Sequence, residues 1–205
     1  MTVAQITLHG VELSGHVHRV RLLLSALALP CRFADAPAEV RATPQFLRLN
    51  PLGQVPVLED GPVVLADSNA ILVYLAKRYG EGSPWLPAEA LAAARVQRWL
   101  SIAAGELARG PCTARLIRLF GAPADHGRAV AIAARLFLFM EAHLADRGYL
   151  AAEQPTIADL ACYAYTARAP EGDIPLTPYP AIRQWLARIE AQPWFVPMPQ
   201  ARAAA

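Results

Sequence analysis

One stretch constrains this chain more than any other: Asn50-Pro51-Leu52-Gly53-Gln54-Val55-Pro56-Val57-Leu58. Prolines and a glycine ahead of a short apolar run spell a turn that enters a strand. Pro56 has no N–H to give to a ladder, which confines it to a strand start or an edge. A cis Val55–Pro56 bond would turn the Val55 backbone outward and leave its N–H and C=O to pair with an extended peptide, as an added strand does. A little further on, Val63-Val64-Leu65-Ala66 reads as a strand end that runs into a helix opening at Asp67-Ser68. A helix N-terminus offers N–H groups and a partial positive charge, which suits a carboxylate. The two segments together supply a peptide-pairing edge and an anion pocket.

The chain before this stretch alternates strand and helix. Ile6-Thr7-Leu8-His9 alternates apolar and polar, and Ser14 is a good N-cap for a helix with Val17, Val20, Leu23, Leu24 and Leu27 at helical spacing. That helix stops before Pro30, and residues 31–36 alternate again. Strand, helix and strand at this spacing predict a right-handed βαβ unit. Thr43-Pro44 starts a short helix through Phe46 and Leu49, Asp60-Gly61-Pro62 joins two strands, and a helix runs from Ser68 through Tyr79. The order βαβαββα is that of a thioredoxin-like domain. Residues 80–87, rich in Gly, Ser and Pro, read as a linker. Beyond them the signal is helical: residues 88–109 with a break at Gly110-Pro111, then 113–120, 129–146, a helix opened by Thr156, and 180–191.

Taken in order, the strand entry at 50–58, the Asp67-Ser68 helix start and the segment Thr156-Ile157-Ala158-Asp159 resemble the cytosolic glutathione S-transferases. The resemblance is to bacterial, serine- or threonine-type members, and it covers nearly the whole chain. It implies an α/β N-terminal thioredoxin-like domain over residues 1–79, a linker over 80–87 and an all-α C-terminal helical domain over 88–205. It implies glutathione as cosubstrate, a hydrophobic electrophile as second substrate, and a homodimer.

Ser14 sits between the first strand and the first helix, where a hydroxyl donates to a bound thiol and the helix end favours the thiolate. The same serine reads as a plain N-cap; the resemblance favours the thiol role. Relatives often follow this hydroxyl with Pro and Asn, whereas Gly15 and His16 follow here. A neutral His16 donates to sulfur, or else faces solvent. His18 and His9 are weaker candidates. No tyrosine precedes Ser14 and no cysteine occupies that stretch, which sets aside tyrosine- and cysteine-type mechanisms. By resemblance, Ser68 holds the γ-glutamyl carboxylate and Asp67 faces its ammonium, roles compatible with capping the helix. Val55 pairs its backbone with the cysteinyl unit ahead of Pro56, and Gln54 lies beside it. Arg41 faces the glycine carboxylate, or is a solvated surface arginine. For the electrophile, Leu13, Trp99, Leu107, Arg109 and Tyr163 are candidates that read equally as core. Thr156 and Asp159 read as a capping box that fixes the helical core.

Composition narrows the partners. At 205 residues, the formal charge of +2 argues neither for nor against nucleic acid; the chain has one lysine, Lys77, its arginines are scattered and not clustered, and with the resemblance no nucleic-acid partner is expected. No apolar run reaches membrane-spanning length, the richest, 129–140, being broken by Arg135. The start, Met1-Thr2-Val3-Ala4-Gln5, lacks a leader pattern, and a cytoplasmic location is expected. Three distant cysteines, Cys31, Cys112 and Cys162, support neither a metal site nor a two-cysteine redox motif. The leading expectation is a glutathione transferase that adds the thiolate to an electrophile. The alternatives are a glutathione-dependent disulfide reductase or peroxidase, and a non-catalytic binding protein of the same fold.

Overall fold

The computed structural model describes residues 6–201. The described chain divides into two compact units, residues 6–83 with 194–200, and residues 84–193 with 201. The sequence reading keeps 88–205 together; in the structure, the segment Trp194–Gln200 groups with the first unit. The reading of Met1-Thr2-Val3-Ala4-Gln5 lies outside the described residues.

In the first unit, β1 (Ile6–Gly10), β2 (Cys31–Asp35), β3 (Val57–Asp60) and β4 (Val63–Ala66) form one sheet in the order β2-β1-β3-β4. The parallel pair β1/β2 is joined by α1 (Gly15–Ala26), while β3 runs antiparallel to both β1 and β4. A single helical turn, α2 (Ala38–Arg41), precedes α3 (Pro44–Leu49), and α4 (Ser68–Tyr79) closes the unit. This is the thioredoxin-like order read from the sequence, with α2 as an extra turn.

Side chains alternate between the two faces of a strand. Ile6, Leu8 and Leu58 are buried on one face, Leu8 directly opposite Leu58. Val57 points the other way and packs with Ala36 and with Phe46 of α3. Helices α1 and α4 pack on each other, and each buries an apolar stripe, Val17, Val20 and Leu24 in one and Ile71, Leu72 and Leu75 in the other. Asp60 accepts hydrogen bonds from the hydroxyls of Tyr74 (2.8 Å) and Tyr79 (2.6 Å), which fastens α4 to the end of β3. Burial, aided by the bond to Asp60, pushes the Tyr74 hydroxyl up to about 12.

The two weaker histidine candidates have structural partners. His18 is buried; its Nε2 donates to the Val196 carbonyl (2.7 Å) and its ring meets Phe195 edge-on, so it ties the 194–200 segment to α1. His9 Nε2 lies 2.5 Å from Glu59 Oε1, on the neighbouring strand.

The second unit is helical: α5 (Ala90–Ile102), a π-helical stretch (Ala103–Cys112), α6 (Thr113–Phe120), α7 (His126–Leu144), α8 (Ile157–Ala167), a 3-10 turn (Ala169–Gly172) and α9 (Pro180–Glu190). The expected break at Gly110-Pro111 is corrected here, because the backbone winds on through both residues. Pro111 cannot supply the N–H of an i→i−4 ladder, and the looser π winding absorbs the loss. The N–H of Thr113 reaches back to the Ala108 carbonyl, and Thr113 Oγ1 donates to the same oxygen at 2.9 Å. Gly110 admits α7 closely, since a Cβ there would stand 2.9 Å from the backbone nitrogen of Ala133.

Helix α8 is buried from Ile157 to Thr166. Its capping box is complete: Thr156 Oγ1 accepts from the Ala158 N–H (3.2 Å), and Asp159 Oδ2 accepts from the Thr156 N–H (2.9 Å) and hydroxyl (3.2 Å). Asp159 Oδ1 accepts from the Leu150 N–H (2.9 Å) and from Trp185 Nε1 of α9 (3.0 Å). Burial pushes the Asp159 carboxyl up, and its donors oppose that rise. Trp99, Leu107 and Tyr163 are buried in this unit, the Tyr163 hydroxyl donating to Glu190 at 2.7 Å. Among the described residues no helix is long and apolar enough to cross a membrane.

Candidate active site

A cavity of about 230 Å3 opens in the first unit, lined by the turn at 50–56, the end of β4, Asp67-Ser68 and His16. The turn is held by Asn50, which is buried. Its Nδ2 donates to the Gln54 carbonyl (2.9 Å), its Oδ1 accepts from the Leu52 N–H (3.1 Å), and its carbonyl accepts from the Gly53 N–H (2.9 Å). Gly53 stands at φ +61°, a left-handed conformation that a Cβ would penalise. The Val55–Pro56 bond is cis. The Val55 N–H and C=O make no hydrogen bond among the described residues.

The other wall is the start of α4. Asp67 is its N-cap, at φ +71°, with Oδ1 accepting from the N–H groups of Asn69 and Ala70, both at 2.9 Å. Ser68 follows at the first helical position, where the N–H has no intrahelical acceptor and the helix end is positive. The Ser68 hydroxyl is 3.3 Å from His16 Nδ1 and accepts from Arg19 Nη1 at 3.2 Å. Arg19 Nη1 also donates to Asn69 Oδ1 at 2.9 Å, and Arg19 is only 1% exposed. Burial, then the positive charge of Arg19, pulls His16 down to about 3, so its imidazole is neutral near pH 7.

Of the residues proposed from sequence, the cavity brings together His16, Gln54, Val55, Pro56, Asp67 and Ser68. Ser14 and Arg41 are not among its lining residues. Ser14 caps α1, its Oγ accepting from the Val17 N–H at 3.3 Å. That bond occupies a lone pair and leaves the hydroxyl hydrogen available for donation. Arg41 supports the turn, Nη1 donating to the Gly53 carbonyl at 3.4 Å, while its Nε is buried without a hydrogen-bond partner among the described residues.

Sequence reasoning missed Arg19 and Asn69. A signal for Arg19 was present: it stands three and four residues before Leu22 and Leu23, on a face that an amphipathic helix buries, and a buried arginine demands partners.

The free thiols lie elsewhere: Cys31 is exposed, Cys112 and Cys162 are buried, and none lines the cavity. A larger cavity, about 350 Å3, opens in the helical unit beside Arg98, His143 and Arg147. Three of its basic side chains are engaged within the protein. Arg147 donates to Asp146 and to the His143 carbonyl, His143 to the Leu150 carbonyl, and Arg98 lies over the Phe139 ring. The smaller cavity instead gathers groups suited to a peptide with a free carboxylate.

Comparison with known proteins finds one family across both units. The family described as Glutathione S-transferase, N-terminal domain, matches residues 8–84, and Glutathione S-transferase, C-terminal domain, matches residues 125–193. Glutathione S-transferase 3 of Zea mays is 33% identical over 209 residues, spanning 94% of this chain and 92% of that protein. The crystal structure of a glutathione S-transferase from Pseudomonas fluorescens superposes with a TM-score of 0.89 at 31% identity, covering 96% of this chain and all of the other (100%). A glutathione transferase homolog from Drosophila mojavensis, solved with bound glutathione, superposes at 0.82 with 28% identity over 93% of this chain and 89% of that one.

Proposed function

We infer, from the premise that the chain belongs to the glutathione S-transferase family, that it adds the thiolate of glutathione to an electrophilic carbon of a small hydrophobic molecule. One observation carries this reading: a single cavity holds the unpaired backbone edge of Val55 and the helix N-terminus at Ser68. Glutathione has matching parts. Its γ-glutamyl carboxylate suits the N–H and hydroxyl of Ser68, and its ammonium suits the carboxylate of Asp67. Its cysteinyl unit pairs with the Val55 backbone as an added strand, with Gln54 and Pro56 shaping the edge. Arg41 serves the glycine carboxylate.

The residues that act on sulfur are Ser14 and His16. Lowering a thiol from about 8.5 by two units takes on the order of 2.7 kcal/mol of differential stabilisation. A helix end and one or two hydrogen bonds to the thiolate supply that much. The thiol proton leaves to solvent, and the thiolate lone pair forms the new carbon–sulfur bond. With an aryl halide, halide departs with the bonding electrons; with an activated alkene, the π electrons take up a proton. A homodimer accompanies this reading by family resemblance, and light scattering on the purified protein checks it.

Calorimetric titration with reduced glutathione, on the wild type and on Ser68→Ala, tests the reading. Micromolar to low-millimolar binding that weakens in the variant supports it. No binding at several millimolar would sink it, and a binding protein for another ligand would then take its place.

A further inference from the structure

We infer that Arg19 is a positioning residue, which makes the Ser68 hydroxyl a hydrogen-bond donor to the glutamyl carboxylate of glutathione. The inference rests on reading Ser68 as the anchor of that carboxylate.

Arg19 lies in α1 and is 1% exposed, yet it carries a full charge. Burying a guanidinium is costly unless its hydrogens find acceptors. Two of them do so at the start of α4: Nη1 donates to Ser68 Oγ at 3.2 Å and to Asn69 Oδ1 at 2.9 Å. A guanidinium has five donors and no acceptor. The Ser68 hydrogen therefore cannot point at Arg19. With one lone pair of Oγ occupied by Arg19, the hydroxyl hydrogen is left for His16 Nδ1, at 3.3 Å, or for a ligand oxygen. A carboxylate, being ionised, is a stronger acceptor than the neutral imidazole, so a bound glutamyl group takes the Ser68 hydrogen from Nδ1, and His16 in the tautomer with Nε2 protonated keeps its one N–H for the sulfur. The cation also adds to the positive end of α4, which Asp67 and the Ser68 N–H bring to the cavity. Arginine suits this task better than lysine, because its planar fork holds acceptors on two successive residues in fixed directions.

A guanidinium that merely tied α1 to α4 would leave the same contacts, so the test must read the carboxylate itself. Two ligands serve: reduced glutathione, and 4-aminobutyryl-cysteinyl-glycine, which differs only in lacking the glutamyl α-carboxylate. Calorimetry compares them on the wild type, Arg19→Lys and Ser68→Ala. We expect Arg19→Lys to bind glutathione about tenfold more weakly, the loss that follows one misdirected hydrogen bond to a charged group. The analogue binds Arg19→Lys as it binds the wild type. Adding Ser68→Ala to Arg19→Lys then costs less than Ser68→Ala costs alone, because the two act through one bond. Equal losses for both ligands, or unchanged glutathione affinity, would overturn the inference. If Arg19→Lys yields no folded protein, Asn69→Ala takes its place, since it removes one of the acceptors that hold the guanidinium. A selective, several-fold loss for glutathione supports the inference, and wild-type affinity for both ligands refutes it. A wild type that binds no glutathione overturns the function proposed above and this inference with it. A Ser68→Ala variant that binds glutathione normally removes Ser68 as the anchor, whatever Arg19 does.

Discussion

A histidine held neutral records its surroundings in the acid stability of the protein. His16 falls to about 3 in the folded chain, through burial first and the charge of Arg19 second, against about 6.5 when unfolded. Between those values the unfolded chain binds a proton that the folded chain refuses. Stability is therefore lost as pH falls below about 6, by on the order of 1 kcal/mol per pH unit from this group. His16→Asn removes the effect and keeps a polar atom near the Ser68 hydroxyl. Denaturant unfolding of both proteins at several pH values between about 7 and 4 should show a gap that closes or reverses in favour of the variant as acid increases. Parallel curves would mean that His16 titrates normally and that its imidazole is not held neutral. At this scale the sequence was informative wherever a role is local. Asp67 caps α4 and Ser14 caps α1, as their positions before helical runs suggest. Contacts between distant segments stayed hidden: Arg19 meets Ser68 across 49 positions, and no spacing rule reaches that far.

Elements were legible to the extent that their periodicity was ordinary. The strand and helix order of the first unit followed from alternation, from 3.6-residue spacing and from Gly and Pro punctuation. The capping box at Thr156 and Asp159 could be read because its partners are three residues apart, although the bonds from Leu150 and Trp185 to the same carboxylate could not. Gly110-Pro111 misled for a physical reason. Proline ends an α-helix by withholding an N–H, but a π-helical stretch with Thr113 bonded back to Ala108 tolerates it. The glycine beside it serves packing. Gly110→Ala would place a Cβ 2.9 Å from the Ala133 nitrogen, a backbone atom that no rotamer change can move. Despite the better helix propensity of alanine, we expect a loss of about 1–3 kcal/mol. A denaturation midpoint equal to or above that of the wild type would show that α7 shifts freely and that the close approach is incidental.

Over the whole molecule, the placing of sulfur separates the functional classes that share this fold. Three thiols are spread along the chain: Cys31 exposed on β2, Cys112 and Cys162 buried, and none at the cavity. A cysteine-type enzyme would carry its own thiol beside the bound glutathione and pass through a mixed disulfide with it. On the function proposed above, the reacting sulfur comes from the ligand, and the chain contributes hydroxyl, imidazole and backbone. Burial raises the Cys31 thiol above its ordinary value, which lowers its thiolate fraction and slows its reaction even though it is exposed. Under native conditions iodoacetamide should modify Cys31 alone and slowly, with Cys112 and Cys162 reacting only after unfolding. Conjugation of an aryl halide by the alkylated protein, and by Cys31→Ser, should stay within about twofold of the untreated wild type, because the thiolate consumed is that of glutathione. Mass spectrometry of protein incubated with oxidised glutathione gives the complementary reading, in which any adduct maps to Cys31. Loss of turnover on alkylation, or in Cys31→Ser, would place a protein thiol in the reaction and move the chain toward the disulfide-exchanging members of its family.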